Sequence, residues 1–221
     1  MKRSILLFAC ILIGLKVFGQ EGERLSFGVR AGANLSNQYY ITEDDINQLF
    51  KPCLQGGVYV VFPASNRVKK ELSLNIIERG AITHMESIVR NSEGYRILKR
   101  DTSNVSYLYL SLGLKDRLYL SKHFYLTIGG DIEWGIKGRG SSTLTETNKI
   151  SDVFEGDADL LQKRWDVVAS GGLGIDIGRR INIEYNASFG LVNISRSINS
   201  LHNVVFENHN YGMSLTLGFR F

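Results

Sequence analysis

Cysteine is scarce in this chain: Cys10 and Cys53 are the only two in 221 residues. Cys10 falls inside an N-terminal apolar stretch with the marks of a removable signal. Without that stretch Cys53 has no partner, and no internal disulfide can form even in an oxidising compartment. Proline is equally rare, at Pro52 and Pro63, against 23 glycines. That balance suits strands and turns better than a helical bundle. No later segment holds the 18 or so consecutive apolar residues of a membrane-spanning helix. Nor is there an excess of charge. Taking Lys2, Arg3 and Lys16 from the 26 basic residues leaves 23, against 22 acidic ones. With no basic patch there is no nucleic-acid face to expect. No two of the four histidines have the spacing, or the cysteine partners, of a zinc site, and no cofactor or metal is implied.

What is present begins with an export signal. Lys2 and Arg3 form a positive n-region, and residues 4–15 are apolar. Val17-Phe18-Gly19 precedes a cleavage point near Gly19 or Gln20. Residues 1–20 are thus predicted to be a cleaved signal peptide. A membrane anchor would need a longer run than the one Lys16 interrupts. A lipoprotein signal ending at Cys10 would leave a very short apolar region. The remaining 21–221 is enough for one domain.

That domain is built from period-two alternation. In the last stretch Tyr211, Met213, Leu215, Leu217, Phe219 and Phe221 alternate with Gly212, Ser214, Thr216, Gly218 and Arg220. One face meets an apolar medium and the other something wet. The pattern recurs about eight times, over residues 24–36, 53–62, 70–81, 105–120, 124–137, 165–178, 181–194 and the C-terminal stretch. In hydrocarbon only helices and closed barrels satisfy every backbone group. The expectation is a single eight-stranded antiparallel up-and-down transmembrane β-barrel.

Connection lengths support it. They run long, short, long, short, long, short, medium, with the long ones at 37–52, 82–104 and 138–164. Bacterial outer-membrane barrels have short periplasmic turns and longer outside loops, which here places both termini in the periplasm. A soluble lipocalin-type barrel also has eight strands, but its apolar side faces inward. The charges set the polarity. Arg30, Arg79, Lys115, Arg117 and Arg220 share the polar faces with Glu71, Asp131, Glu133, Asp166, Asp176 and Glu184. Were those faces outside, Trp134, Phe124, Tyr211, Phe219, Phe221 and rows of leucine would have to fill an interior barely wide enough for side chains. Small and mixed-sign residues suit a narrow lumen cross-linked by ion pairs. Phe62, Trp134, Trp165, Tyr185, Phe219 and Phe221, near strand ends, suit interfacial girdles.

The stretch Phe27-Gly-Val-Arg-Ala-Gly-Ala-Asn-Leu-Ser36 resembles the opening strand of the Bacteroidetes outer-membrane β-barrel family known as PorT-like or porin-family proteins. Ser106-Tyr-Leu-Tyr-Leu-Ser-Leu-Gly-Leu-Lys115 is similar to that family's central strand, although Ser111 stands where proline is common. Residues 124–131 resemble the glycine-containing strand that follows, and terminal Phe221, with Phe219, resembles the aromatic end read by barrel-assembly machinery. The resemblance implies fold and an outer-membrane location, with outer-membrane lipid and that machinery as partners. It implies no activity and no functional residues.

Catalytic constellations are thin. His84-Met85-Glu86-Ser87 offers a histidine, a carboxylate and a serine, but in an expected loop, and a triad needs geometry that sequence proximity does not supply. His202 and His209, with Ser200, flank the last loop as solvated residues. Asp131 and Glu133 share a face as glycosidase acids do, yet Lys115 and Arg117 on the neighbouring strand favour a structural network. Gly171-Gly172-Leu173-Gly174 lacks the helix that a phosphate loop needs. Three roles follow: a structural or interaction barrel acting through its long loops on a protein or surface ligand, a narrow channel for ions or small solutes, and an enzyme acting on lipid acyl chains. Binding residues concentrate on loops carried by rigid scaffolds, so the first is preferred and no enzyme is expected.

Overall fold

A computed structural model describes residues 25–41, 47–90, 96–146, 149–156, 165–194 and 207–221. The signal-peptide reading of residues 1–20, together with Ser200 and His202, lies outside them. Nine strands run in chain order: β1 (Ser26–Ile41), β2 (Asn47–Pro63), β3 (Val68–Arg90), β4 (Arg96–Tyr119), β5 (Phe124–Glu146), β6 (Lys149–Gly156), β7 (Trp165–Ile177), β8 (Ile181–Gly190) and β9 (Glu207–Arg220). All neighbours pair antiparallel, and no helix occurs among the described residues. Eight strands close the ring in the order β1, β2, β3, β4, β5, β7, β8, β9, with β9 returning to β1 from Gly28↔Arg220 to Ile41↔Glu207.

The alternation drives this closure. Leu110, Leu112, Leu114, Leu126, Ile128, Ile132, Leu215 and Leu217 stand exposed on the outer wall. Between them Glu71, Arg117, Glu133 and Glu184 are buried inside. A water-soluble barrel would invert this. Lipid-facing apolar residues and a polar interior are the arrangement of a membrane barrel. Trp134 pairs with Trp165 in register near one rim of that belt. On the outer wall near the opposite end, Asp116 interrupts the leucine series of β4 and pairs with Lys70 at 2.8 Å, both about two-fifths exposed.

Three connections are tight, at residues 64–67, 120–123 and 178–180. Ser65 Oγ accepts from Val68 N at 3.2 Å and Ser121 Oγ from Phe124 N at 3.1 Å. Gly178 takes φ of 66°, which any side chain would strain.

The opposite end corrects the expected boundaries. Of the expected loop 82–104, residues 82–90 and 96–104 are strand instead, because β3 continues to Arg90 and β4 starts at Arg96, the two paired with each other. Within 37–52, β1 reaches Ile41 and β2 begins at Asn47. Within 138–164, β5 runs to Glu146 and an unexpected ninth strand, β6, pairs with its end. The expected strand over 181–194 stops at Gly190. A tilted strand crosses a bilayer in about 9–11 residues. β3 and β4 have 23 and 24, so roughly half of each stands clear of the membrane. There both faces are wet, and the alternation that marks a strand in sequence disappears.

One interruption in the wall has its own repair. β2 pairs with β3 as far as Phe50↔Ala81 and again from Gln55↔Ile77, so four residues of β2 face three of β3. Asn34 Nδ2 donates to the Glu78 carbonyl at 2.7 Å, and Gly80 N–H donates to Ser36 Oγ at 3.1 Å. Side chains of β1 thus pass behind β2 and meet backbone groups where the ladder is broken. Replacing Asn34 with alanine leaves that carbonyl unmet and is expected to cost about 1–3 kcal/mol. Urea unfolding of the barrel in detergent would show it, and an unchanged midpoint would mean that water serves as well.

Candidate functional site

Among the described residues the interior is rich in buried polar groups, and it is layered. Its central layer joins four strands. Glu71 on β3 accepts from Arg30 Nη2 of β1 and from Arg117 Nη2 of β4. Glu184 on β8 lies 3.4 Å from Arg117, 3.6 Å from Lys115 and 3.9 Å from Arg30. Glu71 is 0% exposed and Arg117 1%. Charges so buried are tolerable only as hydrogen-bonded partners.

Two tyrosines brace the guanidiniums. Arg30 lies 4.5 Å over the Tyr59 ring, and Arg117 lies 5.5 Å from Tyr59 and 4.9 Å from Tyr125. Such contacts gain from desolvation. Glycine makes room for both rings. A Cβ at Gly28 would come within 2.4 Å of Tyr59 Cζ, and one at Gly174 within 2.3 Å of Tyr125 Cζ. Asn182 donates to Tyr59 Oη at 3.0 Å and Asn186 to Glu184 at 2.7 Å, closing the polar set.

Towards the long hairpins a second layer follows. Arg79 holds Glu133 with two hydrogen bonds, Nε to Oε2 at 2.7 Å and Nη2 to Oε1 at 2.6 Å. This forked geometry is the strong form of a charge-assisted pair. Asp166 is the cross-strand partner of Glu133. It pairs with no cation among the described residues, and instead accepts from Asn210 Nδ2 at 3.0 Å and Val192 N at 3.3 Å. Towards the tight turns a third layer pairs Arg220 with Asp176, which also accepts from Tyr119 Oη at 2.8 Å. Asp131 stands apart, accepting from Ser111 at 3.2 Å, with no ion-pair partner among the described residues.

Between the first two layers lies a cavity of about 40 Å³, bordered by Arg30, Asn75, Arg79, Lys115, Asp131 and Ser170. That volume holds a few water molecules.

The other candidates stay apart. His84 is on β3 rather than in a loop, with Nδ1 3.0 Å from Thr102 Oγ1. Glu86 pairs with Arg100 at 2.8 Å. His209 stacks on Phe189 and bonds the Gly190 carbonyl at 3.0 Å. Asp131 and Glu133 do share the inner face, but Glu133 is taken by Arg79. Gly171 to Gly174 lie within β7, and Cys53 is buried. Phe219 and Phe221 meet edge to face at 5.6 Å on the outer surface. Sequence reading missed Tyr59, Tyr119, Tyr125, Asn182, Asn186 and Asn210 as interior residues with roles. Their strand parity marked the side they face, but not what they touch.

Comparison with known proteins agrees with this architecture. Residues 18–196 match the family model described as outer membrane protein beta-barrel domain. No curated protein matches the chain. Among solved structures it is similar to Ail, the attachment invasion locus protein of Yersinia pestis, with TM-score 0.45 and 12% identity over 90% of this chain and 100% of that one. Neisserial surface protein A gives TM-score 0.40 and 6% identity over 90% and 100%. OprG from Pseudomonas aeruginosa gives 0.37 and 11% over 89% and 95%. Since the family model covers most of the chain, this protein belongs to the outer membrane protein beta-barrel domain family.

Proposed function

We propose that this outer-membrane barrel is a closed scaffold whose work is done by the strands standing above its rim. The observation that carries the reading is the cross-linked interior: three layers of paired charges span the lumen, and the cavity between two of them is about 40 Å³. Such a lumen makes a stiff post. Above it, β3, β4, β5 and β6 continue as a paired sheet well past the length a bilayer needs. A rigid support carrying long extensions is how binding surfaces are commonly presented. A protein or surface ligand is the partner this reading implies, and it involves no catalytic step.

In the same reading the tight turns and both termini face the periplasm, following the length rule for such barrels. Phe219 and Phe221, exposed at the end of β9, serve as the assembly signal, and residues 1–20 are removed on export. The finer likeness to the PorT-like group of Bacteroidetes stays part of this proposal.

One observation favours a second reading. Lys115 and Asp131 both border the central cavity, and among the described residues Lys115 has no carboxylate closer than 3.6 Å, as the walls of a narrow ion path would. Conductance in planar bilayers separates the two. The folded protein is expected to give no resolved current steps. Steady, ion-selective steps would instead establish the channel and make the interior charges its selectivity residues.

A further inference from the structure

Counting by alternation from Glu133 and Gly135 would turn Lys137 and Arg139 towards the lumen. The structure turns them out. β4 pairs Tyr109 with Gly135 but Leu108 with Lys137, so Ile136 is an extra residue and the parity of β5 reverses. Lys137 therefore lies beside Leu108 and Arg139 beside Ser106, both exposed on the outer wall.

Lys51 reaches the same patch from β2. Its ammonium donates to Asn104 Oδ1 at 2.6 Å, to the Val105 carbonyl at 3.2 Å and to Ser106 Oγ. The arm crosses β3 at Gly80, where a Cβ would stand 2.0 Å from the Val105 carbonyl oxygen and 3.1 Å from Lys51 Cδ. Glu78, paired in register with Leu108, is the carboxylate of this row. None of Lys51, Lys137 and Arg139 forms an ion pair among the described residues.

This charge is lopsided around the barrel. The outward faces of β7, β8, β1 and of β9 from Asn208 onward carry no Lys, Arg, Asp or Glu among the described residues. The cations gather on one side, just beyond Trp134, at the level where aromatic belts meet lipid headgroups. The geometry points to a binding site here for the phosphate of an anionic membrane lipid. Lys137 and Arg139 supply the free donors, Arg139 with a fork suited to two phosphate oxygens. Lys51, its own donors spent on β4, adds fixed positive charge. A second copy of this chain fits poorly, because two-fold symmetry would set the same three cations against themselves. The inference rests on the outer-membrane placement of the barrel, and it holds whether or not the lumen conducts.

The test is lipid retention. Full-length protein purified in neutral detergent is titrated with phosphatidylglycerol and separately with phosphatidylcholine of the same chains, and bound lipid is counted by native mass spectrometry. Phosphatidylglycerol should be held preferentially, and K137Q/R139Q should weaken it about 30-fold. Raising salt from low to about 1 M should release it from the unaltered protein while sparing phosphatidylcholine. Equal retention of the two lipids would overturn the proposal. So would undiminished phosphatidylglycerol binding by the double variant, or a dimer of this chain that the same substitutions dissolve.

Discussion

Glu71→Ala is expected to cost this barrel about 3–5 kcal/mol of unfolding free energy, the usual penalty for removing one partner of a buried ion pair. Glu71 is fully buried and takes a hydrogen bond from each of two arginines. Without it Arg30 and Arg117, both close to the Tyr59 ring, keep Glu184 at 3.4–3.9 Å as their remaining counter-charge. Urea unfolding in lipid or detergent, followed by Trp134 and Trp165 fluorescence, measures the loss. Heat-modifiable gel mobility gives an independent reading. Glu71→Gln should recover part of the stability, because the amide still accepts hydrogen bonds while lacking the charge. If alanine left the midpoint where it was, the central layer would be hydrated and the barrel would owe its stability to the wall alone.

The second large effect concerns Arg79 and Glu133. Glu133→Arg sets two guanidiniums against each other in a site with 0% exposure at position 133, and should prevent the heat-resistant form. The loss should exceed about 4 kcal/mol, in the range reserved for unpaired buried charge. Combining it with Arg79→Glu reverses the pair and should restore much of the fold, with a coupling energy of about 3 kcal/mol. Restoration will be incomplete because Asp166 sits beside position 133 and Ser188 accepts from Arg79 at 3.3 Å, an environment shaped for the native polarity. A double variant no more stable than the sum of its parts would show that these two residues do not act as a pair.

Where hydrocarbon touches the strands, the sequence was easy to read. Leu110, Leu112 and Leu114 had to face lipid and Lys115 and Arg117 the lumen, so both walls of β4 follow from parity. Three kinds of feature were not legible. Beyond the bilayer the selection for alternation ends, so β3 past Ala81 and β4 before Val105 looked like loop. A bulge consumes one residue and inverts everything after it, which is how Lys137 and Arg139 changed sides. Pairings across the lumen depend on barrel diameter and strand stagger, which local sequence does not encode. Nothing in the neighbourhood of Arg117 says that it meets Glu71 and Glu184 while Asp131 has no cation partner among the described residues.

The interior contacts also bear on how the molecule forms. Neighbouring strands such as β3 and β4 can zip from their shared turn, but the bond from Asn182 to Tyr59 joins residues 123 apart, and β1 meets β9 only at the end. These chords cannot exist in an open sheet. Until the first and last strands join, the charged side chains line a concave, water-filled surface, and closure exchanges that water for partners in a single cooperative event. Ring closure is therefore expected to be the slow step of folding, since long-range pairing of this kind is where β-proteins lose speed. An interior ion pair should then act mainly on the rate at which a closed barrel reopens, and little on the rate at which its hairpins first appear.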